Sequence, residues 1–157
     1  MMIQDTVSET NKFRFVYLIK PRDFSNAGDA SANVKAELQK HGIEPDVIRR
    51  VSIICFEAEM NIVLYTKGGK LIVEVDDQKV DILALDKGPG IEDIELVMTP
   101  GYSTAPEWAL EYGFGAGMGL PNIKNNSDVF EIESEVGKGT IVHSIVYRRK
   151  NEIKGNN

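Results

Sequence analysis

The sequence predicts an α+β two-layer sandwich, with a mixed sheet of about five strands and helices packed on one face. Three observations predict it. Residue patterning follows the order strand, helix, helix, strand, strand, short helix, long loop, helix, strand, strand, and no strand-helix-strand unit repeats. A chain of 157 residues buries one core but not comfortably two. A hydrophobic content of 42% supplies the material for that core.

Residues 1–11 are polar and read as a loose N-terminal segment, 12–149 as a single domain, and 150–157 as a frayed tail. Phe13–Ile19 (FRFVYLI) is aromatic and β-branched and is stopped by Pro21, which predicts a strand. A helix is expected from about Phe24 to His41, capped by Asp23 or Ser25, with Ala30, Val34 and Leu38 facing inward. Gly42 ends it, followed by Ile43 as the apolar residue that often accompanies a glycine cap.

Pro45 suits the first turn of a second helix, in which Ile48, Val51, Ile54, Cys55, Ala58, Ile62 and Tyr65 recur every three or four residues. Gly68-Gly69 stops that helix. Lys70–Val75 and Val80–Leu85, joined by the polar turn 76–79, predict a hairpin. A short helix is expected near Glu92–Met98, then an irregular segment from Thr99 to Gly117, then a helix over about Met118–Asn126. Val129–Ser134 and Thr140–Tyr147 form a last hairpin through Gly137-Lys138-Gly139. A structureless stretch of that length inside a compact domain predicts a lid or binding loop.

The formal charge of -6 argues against nucleic acid as a partner, because neutralising phosphates takes clustered Lys and Arg. The basic cluster Arg148-Arg149-Lys150 reads as a solvated strand end. Cys55 is alone and falls among inward positions, so it is expected to be a small buried apolar residue. His41 and His143 are given structural roles. No apolar run approaches a membrane span, which excludes a membrane partner and predicts a soluble, cytoplasmic protein.

Four short motifs carry the chemistry. In "FEAEMNIVLY", Glu57 and Asn61 project from one helix face a turn apart, where a carboxylate and a carboxamide can orient a hydroxyl and offer Mg²⁺ a hard oxygen. In "LDKGPGI", Asp86 ends an apolar strand, where burial is costly without hydrogen-bond donors, and Gly88 and Gly90 permit close approach. "GFGAGMGL" places glycines before a helix whose bare N–H groups suit phosphate. It is not a Walker A loop, since no Gly-Lys-Ser/Thr follows, and it opens no βαβ unit. "VGKGTI" is a hairpin turn ending in the Thr140 hydroxyl. Taken alone, the polar pair and the two turns read as ordinary surface features, and the glycine run serves equally as a linker.

Their order is what is specific. Glu57-x-x-x-Asn61, Asp86-x-Gly88-x-Gly90, Gly115-x-Gly117-x-Gly119 and Gly137-x-Gly139-Thr140 resemble the N, G1, G2 and GT boxes of the GHKL ATPases (gyrase, Hsp90, histidine kinases, MutL). "NIVLY", "GYSTA" and "GMGLPNIK" are most similar to anti-sigma-factor serine/threonine kinases and switch-protein kinases. The resemblance implies a Bergerat-type ATP-binding fold and a protein kinase using ATP and Mg²⁺. Asp86 would accept the adenine amino group, Asn61 would ligate the metal, and Glu57 would be the catalytic base. Gly88, Gly90, Thr104, Gly115, Gly117, Met118, Gly119, Leu120 and Thr140 would complete the nucleotide site, with a lid over about 99–117 that includes Tyr102, Ser103 and Trp108.

Implied partners are a protein substrate, of anti-anti-sigma or switch-protein type, or a sigma factor, and a homodimer is compatible with the likeness. Two departures stand out. Leu64 occupies a position that is basic in many histidine kinases, and Gly115 stands where some anti-sigma kinases place a lid Arg. No arginine lies between Arg50 and Arg148. The charge for the terminal phosphate then falls to Lys67, Lys87 or Lys124, or is absent. An absent charge would suit a rival function, a non-catalytic regulatory module gated by ATP.

Overall fold

A computed structural model describes residues 2–7, 12–103, 105, 107 and 118–149. Six strands form one sheet: β1 (Met2–Val7), β2 (Lys12–Ile19), β3 (Gly69–Val75), β4 (Lys79–Asp86), β5 (Val129–Glu135) and β6 (Gly139–Tyr147). Their order across the sheet is β1-β2-β3-β4-β6-β5. The helices are α1 (Asp29–Lys40), α2 (Pro45–Tyr65), α3 (Ile94–Val97) and α4 (Gly119–Asn125). The two-layer α+β prediction is borne out. Among the described residues no helix is long and apolar enough to cross a membrane.

The expected mixture of strand directions is corrected, because every described pair is antiparallel. The last hairpin folds back so that β6, not β5, lies against β4, and β5 is left at the edge. Residues 2–7, read as loose, pair with β2 from Met2↔Tyr17 to Val7↔Lys12 and make the sixth strand. Nothing in their own residue types announces this. The ladder offered by β2 decides it.

Alternation along β2, β3, β4 and β6 sends Phe15, Tyr17, Leu71, Val73, Val80, Ile82, Val142 and Val146 to one buried face. Against it pack Ala30, Val34 and Leu38 of α1, and Val51, Ile54, Cys55, Ala58 and Ile62 of α2, all buried as their helical spacing predicts. Cys55 is 0% exposed, and burial pushes its thiol well above the ordinary range, which suits an inert packing role. His41 also packs structurally, with its ring 3.9 Å from that of Phe13 and its Nδ1 2.8 Å from the Glu37 carbonyl oxygen.

Arg148 is not a solvated strand end. Its guanidinium donates to both carboxylate oxygens of Glu44, each at 3.0 Å, and to the Asp76 carbonyl at 2.9 Å. The fork thereby ties the end of β6 to the residue that precedes α2.

Helix α1 begins later than its composition suggests. Asp23 is occupied with the Asn26 amide, at 3.1 and 3.0 Å, and does not cap the helix. The cap comes from another helix. The Glu59 carboxylate of α2, 2% exposed, accepts the N–H groups of Gly28, Ala30 and Ser31 at 3.0, 3.3 and 3.0 Å. Three bare donors at the positive end of α1 satisfy a buried charge that would otherwise be costly. At the other end Gly42 takes φ 69, and Ile43, buried, donates its N–H to the Leu38 carbonyl at 3.1 Å, as a glycine cap predicts.

Replacing Glu59 by Gln turns one acceptor into an NH₂ donor facing helix N–H groups. The expected loss is about 2–4 kcal/mol of unfolding free energy, read from urea denaturation. A loss below about 0.5 kcal/mol, the level of an ordinary surface change, would contradict this account of the cap.

Candidate functional site

Strand β4 ends at Asp86, which lies opposite Gly69 of β3 and Thr140 of β6. This register fixes the carboxylate at the rim of the core. The Thr140 N–H donates to Asp86 Oδ1 at 3.2 Å. Behind it, Ser134 Oγ lies 2.8 Å from Thr140 Oγ1, donates to the Gly139 carbonyl at 3.1 Å and accepts the Ile91 N–H at 2.7 Å. Ser134 therefore ties the turn after Asp86 to the β5–β6 hairpin. Burial raises the Asp86 pKa, and the Thr140 N–H opposes that rise only in part.

The turn 87–90 is shaped for close packing. Gly90 has φ 79, and a Cβ there would run into the Glu135 carbonyl. Any side chain would force the turn away from the hairpin that carries Thr140.

Across the site, α2 presents Glu57, Asn61 and Tyr65 along one face, one turn apart. Helix α4 approaches that face closely enough that a Cβ on Gly119 would lie 2.9 Å from Asn61 Oδ1. From the next turn of α4, the Asn122 amide donates to Glu57 Oε2 at 3.0 Å. Glu57 is thus aimed by a second helix. Tyr65 reaches the start of the long loop, its hydroxyl 3.4 Å from Ser103 Oγ.

These groups enclose a cavity of about 670 Å³. Glu57, Asn61, Asp86, Gly90, Met118, Gly119, Leu120 and Thr140, all expected at the site, line it. Gly88 is buried and does not line the cavity, and a Cβ added there would lie 3.0 Å from Asp86 Oδ1. Thr104, Gly115 and Gly117 lie outside the described residues, as do Trp108 and most of the expected lid.

Lys67, Lys87 and Lys124 are all exposed and do not line the cavity. Three further residues around the site belong to none of the four motifs. Ser134 and Asn122 act through tertiary contacts, although Asn122 falls inside the "GMGLPNIK" segment, and Arg22 enters the wall from the loop after β2.

Among the described residues no group of three or more His, Cys, Asp or Glu is arranged to hold a metal ion. Asn61 Oδ1 beside Gly119 offers a single hard oxygen. Such a donor set fits a Mg²⁺ held chiefly by phosphates and water, which needs one or two protein oxygens, and does not fit a dedicated protein cage.

No protein-family model matches the chain. It is similar to serine/threonine-protein kinase RsbT of Bacillus subtilis, 36% identical over 104 residues that span 64% of this chain and 72% of RsbT. It is also similar to the anti-sigma F factor of Clostridium acetobutylicum, 31% identical over 145 residues, covering 89% of this chain and 94% of that protein. The anti-sigma F factor of Caldanaerobacter subterraneus subsp. tengcongensis is 30% identical over 148 residues, covering 90% and 96%.

The raised pKa of Asp86 has a testable consequence. An aspartate ordinarily titrates near 3.8, and in the fold Asp86 titrates higher, so between the two values the folded protein holds more protons than the unfolded chain. Stability falls as the pH rises through that window, and the full penalty stands at neutral pH. Asp86→Asn, whose Oδ1 still accepts the Thr140 N–H, is expected to melt above the wild type at neutral pH. The gap should close below pH 3.8. A variant that melts lower at neutral pH would contradict the burial account.

Proposed function

Because the chain belongs to the GHKL-type ATPase family of the anti-sigma F factors and the RsbT serine/threonine kinase, sharing 30-36% identity with them over most of its length, we propose that its cavity binds Mg²⁺-ATP for transfer of a phosphoryl group to a serine or threonine of a protein partner. The chain is a partner-switching kinase. The observation that supports the mechanism is the presence around one cavity of the Asp86 carboxylate, Asn61 and Glu57, with Glu57 held by the Asn122 amide.

Asp86 accepts the exocyclic N–H of adenine. A guanine would direct a carbonyl oxygen at the same carboxylate, and two acceptors repel, so the site selects adenosine nucleotides. Thr140 holds Asp86 in place through its N–H. Asn61 would hold a magnesium ion through Oδ1, and the bound ion would neutralise phosphate charge.

Glu57 orients the partner's hydroxyl and takes its proton as that oxygen bonds to the γ-phosphorus. The bond from phosphorus to the β–γ bridging oxygen breaks, and ADP leaves. Positioning and charge neutralisation supply most of the rate in such transfers, so a helix-mounted base held by a second helix is what the chemistry asks of the protein. The partner is of anti-anti-sigma or switch-protein type, and its phosphorylation changes which complex it joins. Sigma-factor binding, self-association and a cytoplasmic setting follow the same likeness.

Titration calorimetry with Mg²⁺ is expected to register ATP and to register GTP about 5- to 150-fold more weakly, since a mispaired buried acceptor costs about 1–3 kcal/mol. Equal uptake of the two would sink the assignment of Asp86. Glu57→Ala is expected to keep ATP affinity within about threefold. It should lose phosphotransfer to a partner captured with Mg²⁺ and ATP from the native host and mapped for phosphosites, by about 100-fold or more. Undiminished transfer by that variant would remove Glu57 from the mechanism.

A further inference from the structure

Resting on the ATP reading above, we propose that Arg22 supplies the cation for the terminal phosphate, reaching the cavity from the loop between β2 and α1 and taking the place of a cation in the lid. The need for one is set by the wall itself. Glu57, Asp86, Glu92 and Asp93 all line the cavity, and among its described lining residues Arg22 is the sole Lys or Arg. A polyanion entering beside four carboxylates requires compensation beyond a single metal ion. The sequence from Gly88 to Ile123 contains no Lys or Arg, so the segment expected to form the lid has no cation of its own to offer.

The backbone at Arg22 points the same way. It has φ 58, and among the described residues it is the one non-glycine with positive φ. Glycine, asparagine and aspartate adopt that region most readily, so an arginine held there is an outlier of the kind that clusters at ligand sites. The surroundings enforce the conformation. The Arg22 N–H donates to the Val63 carbonyl at 2.9 Å, and its carbonyl accepts the Phe24 N–H at 3.0 Å. This anchors Arg22 to α2, the helix that carries Glu57 and Asn61, and not to the strand floor that carries Asp86. Arg22 is exposed and lines the cavity, which places it at the mouth on the α2 side. A planar guanidinium offers paired N–H donors to phosphate oxygens and disperses charge as the bridging bond breaks.

The test uses the full chain, with Arg22→Gly and Arg22→Lys. Glycine suits a positive φ, so the backbone at this position tolerates R22G, and its melting is measured beside that of the wild type. Calorimetry with Mg²⁺ is expected to show ATP bound about 10- to 100-fold more weakly by R22G. ADP should change by less and AMP not at all. R22K should recover part of the ATP preference. At saturating ATP, phosphotransfer by R22G should fall by about 10³-fold, the scale at which an arginine acts on a γ-phosphate. An R22G variant that keeps the wild-type preference for ATP over ADP overturns the assignment and leaves the ATP reading standing. Equal weakening of ATP, ADP and AMP also overturns it, since that pattern marks a structural role. A wild-type chain that takes up no adenosine nucleotide overturns both.

Discussion

The three N–H groups at the start of α1, from Gly28, Ala30 and Ser31, that converge on the buried Glu59 carboxylate are the contact on which the rest of this structure leans. A carboxylate that is 2% exposed is tolerable only where fixed donors replace water, and the positive end of a helix is such a place. The pairing works in both directions. It leaves α1 without orphan donors at its start, and it fixes the residues just before α1 against α2. That loop contains Arg22, whose N–H is bonded to the Val63 carbonyl of the same helix. Helix α2 therefore carries two carboxylates with opposite duties. Glu59 is spent on holding the fold, whereas Glu57, two residues earlier and on another side of the helix, opens to the cavity.

The Glu57 side of α2 shows the same use of one helix to aim the side chain of another. Asn122 donates to Glu57 Oε2, and α4 can approach so closely because Gly119 has no Cβ to meet Asn61. A small residue at the crossing and a hydrogen bond one turn further on bring two polar side chains into a defined arrangement without burying either completely. The pair in α2 would otherwise be two polar side chains on a helix surface. Its chemistry comes from its neighbour across the crossing.

Much of this was legible in the residues. The three- and four-residue spacing from Ile48 to Ile62 named the inward face of α2, and the alternation through β3 and β4 brought Asp86 to a strand end. What stayed hidden was decided by partners far along the chain. Met2–Val7 becomes a strand because β2 offers a ladder, and α1 starts at Asp29 because its cap is Glu59, not the nearby Asp23. Ser134, Asn122 and Arg22 have no motif of their own, and each acquires a role only when the sheet and helices close around the cavity. The missing lid arginine was visible as a gap in the sequence. The arginine in the cavity wall, Arg22, comes from a segment that no spacing rule connects to that gap.

Asp86 is the place where fold and function make opposing demands. Its pKa is raised because burial removes water faster than one N–H from Thr140 can replace it, so the folded protein carries an under-satisfied acceptor at neutral pH. That deficit is local and directional. It faces a cavity, and an N–H donor presented from the cavity is what relieves it. A ligand able to donate there gains the hydrogen bond and also removes part of a cost that the empty fold already bears, so binding and stability are linked through the same carboxylate. A ligand offering an acceptor at that point adds to the cost. On the proposed ATP reading, discrimination between purines would follow from the state of the unliganded strand end, with no further specificity element needed at that edge of the base.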